Sequence, residues 1–197
     1  MKRLFAASAA VLIIYFVLSV LPLNNEMNIY DDTVRLHVVA NSDGEYDQSL
    51  KLFVRDRVLD LVSRIVDGAA DADEAANRIA DAQCEVADAA IAAVRDYGAE
   101  QSVSVSFGLE DYPTRYYDGF SLPAGEYRSL IVTLGEGDGH NWWCVLFPRL
   151  CSSVCVADKE TCLDDGYSEA EYDMISKESG LKYRIRFRIV ELFEKLF

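Results

Sequence analysis

The period of the apolar positions changes repeatedly along this chain, and each change predicts a new element. From Thr33 to Asn41 (TVRLHVVAN) it is two: Val34, Leu36, Val38 and Ala40 share one face, and Arg35, His37 and Asn41 the other. That is a strand. Asn41 to Gly44 forms a turn able to cap a helix. From about Tyr46 to Val66 apolar residues recur at steps of three and four: Leu50, Phe53, Val54, Val58, Leu61, Val62 and Ile65. Lys51, Arg55, Asp56 and Arg64 fall off that stripe, and Gly68 ends it. An alanine-rich region from about Asp73 to Tyr97 predicts further helix, either continuous or broken near Gln83, with Gly98 as its stop.

The period returns to two at Ser102, where Val103, Val105 and Phe107 alternate with serines as in a half-buried strand. Pro113 to Tyr117 and Phe120 to Leu122 suggest a hairpin around Asp118-Gly119. Tyr127 to Leu134 is a strongly apolar strand. Gly135 to Asn141 turns it into Trp142–Phe147, which is apolar on both faces and so must be covered on both. Trp142, Cys144 and Leu146 line one face, and Trp143, Val145 and Phe147 the other. Residues 152–180 lose periodicity and read as loop and short helix. Lys182 to Val190 (KYRIRFRIV) suits a closing strand, and Glu191 to Phe197 a last turn of helix.

This order predicts an α+β domain, a mostly antiparallel sheet with two or three helices packed on one face. Four regions follow: a signal or transmembrane segment over 1–23, a tether over 24–32, the core domain over 33–151 and an extension over 152–197.

The first region changes the picture most. Lys2 and Arg3 precede twenty uncharged residues, Leu4 to Leu23, about the length that crosses a bilayer. The positive flank keeps Met1 on the cytoplasmic side. No Ala-x-Ala site precedes Asn24, so the segment reads as a retained anchor, with a cleaved signal as the alternative. Either way, the remaining 174 of 197 residues are expected outside the cytoplasm. They hold all 33 acidic residues but lack two of the 19 basic ones, so they carry −16. That balance argues against nucleic acid and against anionic lipid, leaving the anchor to hold the chain at the membrane.

Four of the five cysteines fall within nineteen residues: Cys144, Cys151, Cys155 and Cys162. In an exported chain this suggests disulfides, and Cys144-x6-Cys151 can close a small loop over Pro148. Cys84 lies in a helical pattern with Ile79, Ile91 and Val94 and reads as a buried thiol. A zinc site lacks both CxxC and a histidine pair. Asp43, Glu45 and Asp47 lack calcium-loop spacing and read as a polar helix start. Gly135, Gly137 and Gly139 lead into a strand rather than a helix, so they are a turn and not a dinucleotide loop. His140 and Cys144 are the nearest approach to a nucleophilic pair. On a strand they would stand about 13 Å apart, so either a bend or His37 would be needed. No catalytic constellation, metal or cofactor is therefore expected, nor a small-molecule substrate. Tyr112, Tyr116, Tyr117, Phe120, Trp142 and Trp143, with Arg115, are either interface anchors or ordinary core.

RLHVVANSD at 35–43, the helix after it, YPTRYYDG at 112–119 and LPAGEYRSLIVTLGEGDGHNWWCVLFPRLC at 122–151 resemble the stage II sporulation protein R family of endospore-forming bacteria. Cys155 and Cys162 are not part of that pattern. The resemblance implies a signal exported from the forespore into the space between forespore and mother cell. There it would trigger a membrane-bound aspartic protease that removes the pro-sequence of sigma-E. It implies a trigger rather than the protease, consistent with the missing Asp-Thr-Gly. Docking is expected at the two motif ends, Arg35, Asn41 and Asp43 on one side and Asn141, Trp142 and Trp143 on the other. An envelope Cys–His hydrolase and a generic disulfide-stabilised binding module are the alternatives.

Overall fold

The computed structural model describes residues 29–117, 120–148, 163 and 167–176. Its centre is a four-stranded mixed sheet. Strand β1 (Val34–Val39) is followed by helices α1 (Glu45–Ile65), α2 (Ala72–Asp81) and α3 (Gln83–Asp96). Then come β2 (Val103–Tyr112), the short β3 (Arg115–Tyr116) and β4 (Ser121–Leu122), β5 (Gly125–Leu134), β6 (Asn141–Phe147) and helix α4 (Glu169–Ile175). The sheet order is β2-β5-β1-β6, and β3 and β4 form a separate two-stranded hairpin.

β1 sits between β5 and β6. It runs antiparallel to β6 but parallel to β5, with Leu36 opposite Leu130 and Val38 opposite Val132. The expectation of a mostly antiparallel sheet thus needs one correction at its centre. A parallel pair requires a long crossover connection, which the helices and β2 supply. The three helices cover one face, against Leu36, Val38, Leu130, Val132, Leu134, Cys144 and Leu146. Among the helical contributors are Leu50, Val54, Val58, Ile79, Val86 and Val94. The alanine-rich region breaks at Ala82, next to the predicted point. Asp71 caps α2, its side chain accepting from Glu74 N.

The other face is also covered. Ile29 opens a helical turn over 29–31 and is fully buried, so packing begins inside the stretch read as a tether. Ile29, Phe120, Leu122, Val145, Tyr167 and Ile175 form a second apolar cluster, to which α4 contributes. A register shift between Val34 and Arg35 alters the pairing with β6. Phe147 consequently joins the helix-side core, not the face of Val145 where simple alternation put it.

Among the described residues no helix is long and apolar enough to cross a membrane. The Leu4 to Leu23 segment, the predicted strand at 182–190 and the last predicted turn at 191–197 lie outside them.

Candidate functional site

The two long sequence motifs meet at one end of the sheet. The β1–α1 turn carries Asn41, Ser42 and Asp43, and the β5–β6 turn runs from Gly135 to His140. Asp138 N donates to Asn41 O at 3.2 Å, and Gly139 N to Ala40 O at 2.9 Å. Glu136 N donates to Asn41 Oδ1 at 3.0 Å, and His140 N to Asp43 Oδ1 at 2.6 Å. The His140 ring also contacts Asp43 through Nδ1. These bonds, the backbone one first, hold the Asp43 carboxyl below its usual range. Glycine is needed here for space. Gly135 has a positive φ of 57°, and a Cβ on it would strike the Asn41 side chain. A Cβ on Gly139 would strike the Ser42 carbonyl.

Asp47 anchors this junction from below. Its carboxylate accepts from Asn41 Nδ2 at 2.9 Å, Ser42 Oγ at 2.6 Å and Gln101 Nε2 at 2.5 Å, and those bonds depress its pKa. Lys51 was expected off the buried stripe but is only 4% exposed. Its Nζ donates to His140 O at 2.8 Å and Gln48 Oε1 at 2.6 Å. Burial, helped by the charge of Arg55, lowers its pKa.

The sheet face away from α1–α3 has a different chemistry. Arg35 is fully buried there. Its Cζ lies 3.7 Å from the Tyr112 ring centroid and 4.9 Å from that of Tyr127, and Nη2 donates to Tyr117 Oη at 2.6 Å. His37 Nδ1 is 2.7 Å from Glu110 Oε1, and its ring stacks near Trp143 with centroids 5.4 Å apart. Burial raises the Glu110 carboxyl, but the bond and charge of His37, together with Tyr112 and Ser129, leave it below its ordinary value. Tyr112 Oη pairs with Ser129 Oγ at 2.6 Å, and burial pushes that phenol well up. The β3–β4 hairpin lies over this cluster. It brings Arg115, whose Cζ is 3.3 Å from the Trp143 ring centroid, and Tyr117, stacked on Phe120 at 4.6 Å.

The six residues expected to dock therefore occupy three places. Asn41 and the exposed Asp43 lie in the junction, and the exposed Asn141 opens β6 beside it, opposite Val39. Arg35 and Trp143 share the polar face, Arg35 buried and Trp143 half-buried. Trp142 points to the helix side, beneath the Arg55 guanidinium at 4.8 Å. Of the aromatic group, Tyr112 and Phe120 are core, while Tyr116 is 80% exposed. Glu110, Tyr117 and His37 were not singled out as one site. His37 lies on β1 and Glu110 on β2, with β5 between them, and Tyr117 follows β3, so only the strand order brings them together.

Cys84 is exposed, not buried, because its turn of α3 faces solvent, as does Ile91. Cys144 is buried on the helix side, opposite Leu36. His37 occupies the reverse face and His140 turns to Asp43, so neither histidine reaches this sulfur. Its predicted pairing with Cys151 lies outside the described residues, as do Cys155 and Cys162. Among the described residues no group of three or more His, Cys, Asp or Glu could hold a metal ion.

The architecture is that of an α+β domain with one apolar helix-covered face and one face of paired charges and aromatic rings. Residues 30–157 match the family model for stage II sporulation protein R, and the chain belongs to that family. It is 41% identical over 128 residues to stage II sporulation protein R of Bacillus subtilis (strain 168), a match covering 65% of this chain and 57% of that relative. The chain thus spans little more than half the length of the curated relative it matches. No solved structure matches it. The family is one of sporulation proteins.

Proposed function

We propose that this chain is an exported signal that triggers a membrane-bound aspartic protease to process the pro-form of sigma-E in the mother cell. The observation that carries the reading is the family match, which spans both motifs of the loop junction and the polar face. The Leu4 to Leu23 run supports export across the forespore membrane, with the domain acting in the intermembrane space. A disulfide between Cys144 and Cys151 suits that compartment. Half-buried Trp143 and Arg115, beside exposed Tyr116, form the kind of aromatic and arginine patch that anchors protein interfaces. Triggering then needs only binding: contact with the outer part of the protease favours its active arrangement by differential affinity for that state.

The test is co-expression of the full chain with its cognate protease and pro-sigma-E in a host lacking all three. The expected result is loss of the pro-sequence, seen as a gel shift, only when this chain is present. Processing that proceeds equally without it, or fails despite confirmed export and folding, would overturn the reading.

A further inference from the structure

Two arginines on the polar face have hydrogen-bonding capacity that the described residues do not use. Arg35 is fully buried, yet its Nε and Nη1 are enclosed without a hydrogen-bond partner. Arg115 Nε is in the same condition. Glu110, the carboxylate of this cluster, meets His37 through Oε1 at 2.7 Å, and its Oε2 is enclosed without reaching either arginine. The Tyr112 and Trp143 rings stabilise the two cations by stacking, but a ring face supplies no carboxylate or carbonyl oxygen. Buried donors are normally satisfied, and each exception asks for an explanation.

We propose that the guanidiniums of Arg35 and Arg115 form a receptor for a carboxylate carried by the docking partner, an Asp or Glu side chain entering beside Trp143. Arginine's planar fork of N–H donors matches a carboxylate, and this geometry is favoured where the pair is shielded from water. The mouth is on the side of Arg115 and Trp143, which are half-buried, next to Tyr116, which is 80% exposed. Arg35 lies behind them and is closed from solvent. Charge complementarity is local: the two guanidiniums attract an acidic side chain, while the overall −14 of the chain opposes acidic groups elsewhere on its surface. Such a site sets register and specificity. This inference deepens the signalling reading and rests on it for the identity of the partner.

Two experiments separate the receptor from that reading. In the first, 15N NMR follows the arginine Nε–H signals of the full chain in detergent micelles during titration with sodium acetate, against sodium chloride at equal ionic strength. Acetate should shift the Arg35 and Arg115 signals, chloride should not, and Arg115→Gln should lose the response. An equal response to the two salts, or a response to inorganic phosphate with none to acetate, overturns the receptor. In the second, Arg115→Gln is placed in the co-expression assay. It should lower triggering about 30-fold or more, as expected when one partner of a buried charge pair is removed. Arg115→Lys, which keeps the charge and loses the fork, should recover part of the loss. Normal triggering by Arg115→Gln, at unchanged thermal stability, overturns the docking role. If the unaltered chain triggers no processing, the signalling reading fails and the acetate titration alone decides the receptor.

Discussion

The two faces of the central sheet are buried by different means. On the helix side, α1, α2 and α3 meet Leu36, Val38, Leu130 and Val132 in an apolar layer where each side chain is replaceable only by one of like size. On the other side, Arg35, His37 and Glu110 are enclosed among Tyr112, Tyr127 and Trp143. Burying such groups is costly unless they are paired, so a polar layer gains less stability than an apolar one. On the proposed reading the difference is a division of labour, with the helix side stabilising the domain and the polar side serving recognition.

Four predictions bear on that division. The largest effect should come from Leu36→Ala, which opens a cavity in the apolar layer. It should destabilise the domain by about 2–5 kcal/mol in urea denaturation. Gly139→Ala should follow, since its Cβ collides with the Ser42 carbonyl at the junction shared by both faces. Overpacking of this kind costs about 1–3 kcal/mol, read as a lower denaturation midpoint.

Arg35→Met should cost less still, within about 1.5 kcal/mol, because it removes unpaired buried donors while a thioether can fill the slot between two tyrosines. The same variant should nevertheless abolish triggering. A loss of stability matching Leu36→Ala would make the polar face structural and erase the comparison.

The smallest effect concerns the segment closing the polar side, where the Asp32 carboxyl lies near that of Glu171 of α4. Burial first, and then Glu171, raise the Asp32 pKa to about 6 from 3.8. A carboxyl whose folded pKa is raised contributes stability that is complete below its unfolded value and is lost as pH rises through the folded one. Thermal stability should therefore decline between about pH 4 and 6, and Asp32→Asn should remove that part of the decline. Asp47 is depressed and works in the opposite sense, losing its contribution only as pH falls below its ordinary range.

Much of this was legible in the chain itself. The three- and four-residue steps from Leu50 to Ile65 mark α1 because a helix buries one stripe, and the observed ends lie within a residue of the predicted ones. The serine alternation marks the first half of β2. Its second half, Gly108 to Asp111, was missed because Leu109 is 65% exposed and breaks the pattern. Cys84 was misread for a related reason: α3 is rich in alanine, so its apolar stripe is weakly marked and its exposed edge is not distinguishable by composition.

Local order along the chain determined which segments are helix or strand, where the glycine turns fall, and the motifs that carry the family resemblance, because these depend on neighbours a few residues apart. Only the tertiary structure decided that β1 lies between β5 and β6, one parallel and one antiparallel. That placement sets Arg35 against Ser129 and His37 against Trp143. It folds the hairpin with Arg115 onto the same face. Strand pairing across a hundred residues depends on how whole faces fit together, so residues unremarkable in sequence become one cluster only when the sheet assembles.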